Sequence, residues 1–166
     1  MVEIPGQKTG GRPAARLRLS EGGDPTLLAH QPGRYRLTMP SGAARTVEVS
    51  SVPEGRKITG RWTVGFPEGS AAPDSITMDE LSSWTERSEP GVKYFSGTAT
   101  YRTEFRVPGD WLQDDRRVFL DLGRVRCVAS VALNGRDPGV LWKPPFRTEV
   151  TGALTAGKNT LTVKVT

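Results

Sequence analysis

Between residues 94 and 165 the chain reads as one short alternating run after another, each stopped by a turn signal. Ala99, Tyr101, Thr103 and Phe105 alternate with Thr98, Thr100, Arg102 and Glu104, the period of a half-buried strand. Pro108-Gly109-Asp110 ends that run. Val118, Leu120 and Leu122 share one face of 117–122, Gly123 interrupts, and Val125, Cys127, Ala129, Val131 and Leu133 resume the alternation. Asn134-Gly135 specifies a hairpin, because both central positions of a type I′ turn take φ > 0. A short return at 140–142 runs into Pro144-Pro145. A strand at 146–150, turns at 151–154 and 157–159, and a last strand at 160–165 complete the pattern. Evenly spaced short strands of this kind predict an all-β jelly-roll sandwich. No βαβ alternation and no repeat of solenoid period is present.

Upstream, Trp62, Val64 and Phe66 share one face of a strand expected at 58–66. A Pro- and Gly-rich loop follows. Thr77 and Glu80 then have the spacing of a capping box, which predicts a short helical turn showing Leu81 and Trp84 together. Residues 1–54 form a separate stretch: irregular to about residue 32, with 15–19 the one strand candidate there. A hairpin follows, with 34–38 and 45–49 as its arms and Pro40-Ser41-Gly42-Ala43 as its turn. A linker near residue 54 leads to the jelly-roll domain at 55–166, and the first segment reads as the tail of a preceding β domain.

Composition narrows the function. The 166 residues include 19 glycines and 13 prolines, in keeping with many turns. The net charge of +5 is scattered: Arg116, Arg117, Arg124 and Arg126 sit beside Asp114, Asp115 and Asp121, so no basic stripe suited to nucleic acid forms. The single cysteine, Cys127, excludes an intrachain disulfide and a multi-cysteine zinc site, and its place in an apolar alternation predicts a buried small hydrophobe. His30, the only histidine, lies in a Pro- and Gly-flanked loop. The first residues have no signal-peptide pattern, and no segment has the length and apolarity of a membrane span. If the chain is part of a larger secreted or periplasmic protein, the export signal would lie upstream.

Several phrases carry a resemblance. Tyr101-Arg-x-x-Phe105-x-Val-Pro, Leu120-Asp-Leu-Gly, Val131-x-Leu-Asn134-Gly, Pro145-Phe146 and Gly157-x-Asn-x-Leu-x-Val resemble the sugar-binding jelly roll of glycoside hydrolase family 2. Leu81-x-Ser-Trp84, Lys93-Tyr-Phe-Ser-Gly97-Thr-Ala and Leu141-Trp-Lys-Pro-Pro-Phe146 are closer to the C-terminal β-sandwich of the α-L-rhamnosidase-like family 106. The resemblance covers about 56–166 and implies a galactose-binding-like accessory module. The family's catalytic acids lie in a separate barrel domain, and no residue here matches them. The last strand also stops at Thr166, short of the Asn-rich, Trp-containing segment usual in that family.

Sandwich modules hold sugars by stacking aromatic rings on the apolar face of a pyranose while Arg, Lys or amide groups bind hydroxyls. Trp142 and Lys143 occupy a loop stiffened by two prolines, Trp84 the expected helical turn, and Tyr94 the start of the sandwich. With Arg136 they form the candidate carbohydrate-binding set, the ligand being rhamnose- or galacturonate-containing plant glycans. A packing role competes at each aromatic, and Trp62 and Trp111 read as core and end plug. The alternative is a structural domain that packs against a catalytic barrel, leaving an apolar patch where the partner sits. A small glycosidase is the third reading. It would need paired carboxylates, for which Asp79, Glu80, Glu86, Glu89 and Asp121 are available. No cofactor is implied. The resemblance implies that a structural Ca²⁺ is common in this fold; no calcium-loop motif is present, and Asp110, Asp114 and Asp115, which could ligate through a loop, read rather as a solvated acidic turn.

Overall fold

The structure, a computed structural model, describes residues 2–3, 13–19, 24–39, 41–113 and 115–166. Two compact units are present, Met1–Arg56 and Lys57–Thr166.

The first unit has two antiparallel sheets. One joins β1 (Val2–Glu3), β4 (Gly33–Thr38) and β5 (Ala44–Val49), with β4 in the middle; the other is the hairpin β2 (Ala15–Leu19) and β3 (Pro25–Ala29). The expected hairpin is β4–β5, in register from Gly33 opposite Val49 to Thr38 opposite Ala44. Its turn is closed by hydrogen bonds from Met39 N to Ala43 O and from Gly42 N to Met39 O; Pro40 lies outside the described residues. Tyr35 is the anchor. Its ring is 2% exposed against Ala14 and Ala15, and its hydroxyl lies 2.6 Å from Gln31 O and 3.2 Å from Ala14 O. Strand β3, in a stretch expected to be irregular, opens on Pro25; a proline at the first position of an edge strand removes no needed ladder donor.

The second unit is an all-β sandwich. Its larger sheet has the order β11-β10-β13-β8-β6-β7, built from β6 (Trp62–Gly65), β7 (Ser75–Met78), β8 (Ala99–Val107), β10 (Ala129–Leu133), β11 (Arg136–Leu141) and β13 (Gly157–Val165). The smaller sheet pairs β9 (Phe119–Asp121) with β12 (Arg147–Glu149). The chain passes from one sheet to the other before and after each of β9 and β12. Alternation decides the core. Val64, Ala99, Ala129, Val131, Leu133, Leu161 and Val163 are at most 5% exposed, and Val118, Leu120 and Leu122 pack against them from the smaller-sheet side. Trp62 is core, as expected, while Trp111 is half-buried in the 3-10 turn Gly109–Leu112.

The helical prediction at Thr77–Glu80 is overturned. Thr77 belongs to β7 opposite Thr63, and Met78 is 4% exposed opposite Trp62. Ladder bonds and burial of Met78 outweigh a local capping signal worth about 1 kcal/mol. Leu81 is left exposed, and Trp84 starts a 3-10 turn, Trp84–Glu86, with no side-chain cap. The α-helical turn α1 (Pro90–Lys93) instead begins at Pro90, at the position where proline is pre-organised. It seats Val92 in the core at 0% exposure, and Gly91 lies so close to the 71–72 backbone that a Cβ there would sit 2.0 Å from Ala71 O.

Cys127 is also corrected. Residues 123–127 leave the sheets, so the alternation from Val125 is not a strand there, and Cys127 is exposed in a bend. Asn134 (φ 52°) and Gly135 (φ 78°) make the type I′ turn that the sequence specifies. The strands on either side of the later turns are longer than expected: β11 begins at Arg136, and β13 includes the 157–159 stretch read as a turn.

Candidate functional site

Two of the phrases that carry the resemblance meet at one polar knot. The Asn159 side chain, 1% exposed, donates through Nδ2 to Thr155 O (2.8 Å) and Gly157 O (2.9 Å). Its Oδ1 accepts from Thr155 N (2.9 Å) and Asn134 Nδ2 (2.7 Å). Asn134 also donates to Ala153 O and accepts from Thr160 N. Arg136 donates to the carbonyl of Gly152 beside this knot. These groups tie the hairpin turn to the connection between β12 and β13, so their visible role is to fix loops.

Trp142 is presented outward. Leu141 packs on the core, so the next residue on the extended chain faces the opposite way, and Trp142 is 66% exposed. Lys143 Nζ lies 4.8 Å from its ring centroid. Phe146, 6% exposed, pins the far end of the loop, and its carbonyl accepts from Leu122 N. Tyr94 caps α1 at 76% exposure, with Lys93 Nζ 5.7 Å from its ring, and borders a cleft of about 200 Å³ with Ser70, Ala71 and Pro90. Trp84 is half-buried and meets Phe95 edge-on at 5.6 Å, while Phe95 meets Phe66 edge-on at 5.0 Å.

The five candidates therefore do not converge. Trp84 and Tyr94 flank α1 near the β6–β7 connection, whereas Trp142 follows β11, the opposite edge of the larger sheet. Arg136 starts β11 and Trp142 follows its last residue, about 20 Å apart along an extended strand.

Sequence reasoning missed a polar depression on the outer face of the larger sheet. It encloses about 460 Å³ and is lined by Thr63, Gly65, Phe66, Pro67, Asp74, Ser75, Thr98, Thr100 and Arg102. Register explains it. Gly65 lies between Ser75 and Thr100, and Thr63 lies opposite both Thr77 and Arg102, so hydroxyls ring a position without a side chain. The signal was the polar half of the β8 alternation, Thr98, Thr100 and Arg102, which reads equally well as a solvated face.

Carboxylates are dispersed. Asp79 pairs with Arg61 (3.6 Å), Asp121 accepts from Gly123 N (2.8 Å), and Glu89 pairs with Arg87 (2.8 Å). A backbone hydrogen bond and the Arg87 guanidinium hold the Glu89 carboxyl below its ordinary value, the opposite of what a proton donor in glycoside cleavage requires. Of the acids considered for calcium, Asp110 and Asp115 are described and Asp114 lies outside the described residues. Among the described residues no three His, Cys, Asp or Glu gather as a metal site, and no helix is long and apolar enough to cross a membrane.

No protein-family model matches the chain. A putative β-glucuronidase from Formosa agariphila is 40% identical over 144 residues, which is 87% of this chain and 12% of that protein. Among solved structures, a rhamnosidase from Novosphingobium sp. PP1Y superposes with a TM-score of 0.62 at 34% identity, over 92% of this chain and 15% of that one. A β-glucuronidase from an uncultured Clostridium sp. superposes with a TM-score of 0.56 at 27% identity, over 66% of this chain and 21% of its own. The chain thus spans between about an eighth and a fifth of each of these relatives, and what it resembles is a small β-sandwich part of much larger glycoside hydrolases.

Proposed function

We propose that the chain is a non-catalytic accessory module of a glycoside-hydrolase-type protein, and that it binds carbohydrate through Trp142. One observation carries the reading: an indole 66% exposed, on a loop anchored in the core by Leu141 and Phe146, with the Lys143 ammonium 4.8 Å from the ring. A ring held this way offers stacking area at small entropic cost, and the ammonium offers donors to sugar hydroxyls. The similarity to rhamnosidase and β-glucuronidase chains supports a sugar-handling context. Calorimetry of the 166-residue chain with rhamnose- and galacturonate-containing oligosaccharides tests it. Binding that Trp142→Ala abolishes is expected; absence of binding to any of them in the millimolar range overturns it.

A second reading, docking against a catalytic domain, is favoured by a specific patch. Val128 (40% exposed), Val140 (56%) and Trp142 share the outer face of β10–β11, with Val140 opposite Ser130 and the same register continuing to place Trp142 opposite Val128. On this reading Trp142→Ala weakens capture of the separately expressed remainder of a parent enzyme and leaves sugar affinity untouched.

A further inference from the structure

We infer that the outer face of the larger sheet is a binding platform for an acidic glycan, with the carboxylate of a uronic acid residue held between Arg102 and Lys164. The inference rests on the carbohydrate-binding reading above and specifies its ligand.

Three cross-strand rows build the platform. One runs Ser75, Gly65, Thr100, Lys164, Ser130, Val140; the row beside it contains Thr63, Arg102 and Thr162. The row on the other side carries Thr98, Thr166 and Val128, fixed by the Thr98–Thr166 hydroxyl contact (2.8 Å) and by the reciprocal bonds between Thr166 and Val128. Continued by register, that third row ends at Trp142. Arg102 is opposite Thr162 and Lys164 opposite Thr100, so the two cations are diagonal neighbours, about 7 Å apart at the backbone. That spacing lets both long side chains reach one carboxylate.

Charge selects the ligand. On the same face Glu104 is taken up by Lys158 at 2.9 Å, and among the described residues Arg102, Lys164 and Arg106 have no acidic residue opposite them across the strands. Asp74 lines the same depression as Arg102, and its carboxylate suits a sugar hydroxyl as donor rather than a second anion. A guanidinium beside hydroxyls and an acceptor carboxylate is the chemistry that reads a sugar bearing both a carboxylate and vicinal diols. Length fits as well. From Lys164 to Trp142 is two strand spacings across and two residues along, about 12 Å, so a bound uronate would leave the next rings of an oligosaccharide over the indole.

The test compares an oligogalacturonate with its fully methyl-esterified form, which keeps the skeleton and removes the charge. Calorimetry on the full 166-residue chain should show the acid bound at least about tenfold more tightly, the value of one charge-assisted hydrogen bond. In Arg102→Gln/Lys164→Gln that preference should vanish, leaving the Trp142-dependent affinity that both forms share. Equal binding of acid and ester by the unmodified chain, still lost in Trp142→Ala, would overturn the acidic-glycan inference and leave the carbohydrate reading standing. Equal competition by inorganic sulfate would reduce the site to bare charge and overturn it too. No binding of either form would overturn the acidic-glycan inference and leave the carbohydrate reading to the rhamnose-containing ligands.

Discussion

Changing Asn159 to aspartate alters one atom and leaves the shape of the polar knot intact, so it isolates what the carboxamide contributes. In the native chain Nδ2 donates to Thr155 O and Gly157 O at 2.8 and 2.9 Å. In Asn159→Asp an acceptor oxygen would face those two carbonyls, while the other oxygen keeps its donors, Thr155 N and Asn134 Nδ2. Two hydrogen bonds at about 1 kcal/mol each disappear, and two carbonyls and a buried charge lose their compensation, for a total near 3–5 kcal/mol at neutral pH. That is a large part of the roughly 5–15 kcal/mol holding a typical domain. The sign of the pH dependence follows. Burial against two carbonyls raises the folded-state pKa of the new carboxyl above its unfolded value of about 3.9, so the folded state holds the proton more tightly. The penalty, measured against the native chain, therefore grows as pH rises from about 4 and shrinks below it, where a protonated carboxyl donates to one carbonyl. Urea unfolding followed by tryptophan fluorescence at pH 4 and pH 7 measures both effects. A variant within about 0.5 kcal/mol of the native chain at pH 7, or a penalty that increases on acidification, would refute the assignment of the knot as a stabilising element.

Gly91→Ala should destabilise by about 2–3 kcal/mol although alanine is the better helix former, because its Cβ would fall 2.0 Å from Ala71 O; a stabilised variant in urea unfolding would show that the contact relaxes freely. Trp142→Ala should change stability by less than about 0.5 kcal/mol, since the ring is 66% exposed, while removing sugar binding in calorimetry. Tyr35→Phe should cost the first unit about 1 kcal/mol through loss of the hydroxyl bond to Gln31 O, seen as weaker amide-exchange protection in β4 and β5. The Glu89 carboxyl should titrate below its ordinary value by NMR, held there by a backbone hydrogen bond and Arg87; because its folded pKa is depressed, its small stabilisation is present above the ordinary carboxylate range and fades as pH falls through the folded value.

The sandwich was legible because its evidence is periodic. The alternations at 62–66 and 99–105 and the Asn134-Gly135 turn each state a local geometry that the sheet keeps. What failed depended on partners distant in sequence. The capping signal at Thr77 lost to ladder bonds with Thr63, and the apolar alternation through Cys127 lost to a chain that leaves the sheet before Val128. The Pro25 strand was hidden because a proline reads as a breaker until its edge position is known. For the site, Trp142 was visible as an aromatic on a stiff loop. The depression was not: Thr63, Ser75, Thr100 and Arg102 lie on three strands, and pairing alone makes them neighbours.

The place of β13 in the larger sheet has a consequence for folding order. It lies between β8 and β10 and pairs with β8 over nine residues, each partner at least fifty positions away in the chain. During synthesis β6, β7 and β8 can pair early, and β10 can close on β11 through its two-residue turn. Neither group gains a complete sheet until 157–165 arrives and joins them. Formation of the sandwich should therefore be slow for a domain of this size, with the long loop closure paid before the central contacts form. The edges of β8 and β10 stay open in the interval, which makes the nascent chain vulnerable to intermolecular strand pairing until β13 docks.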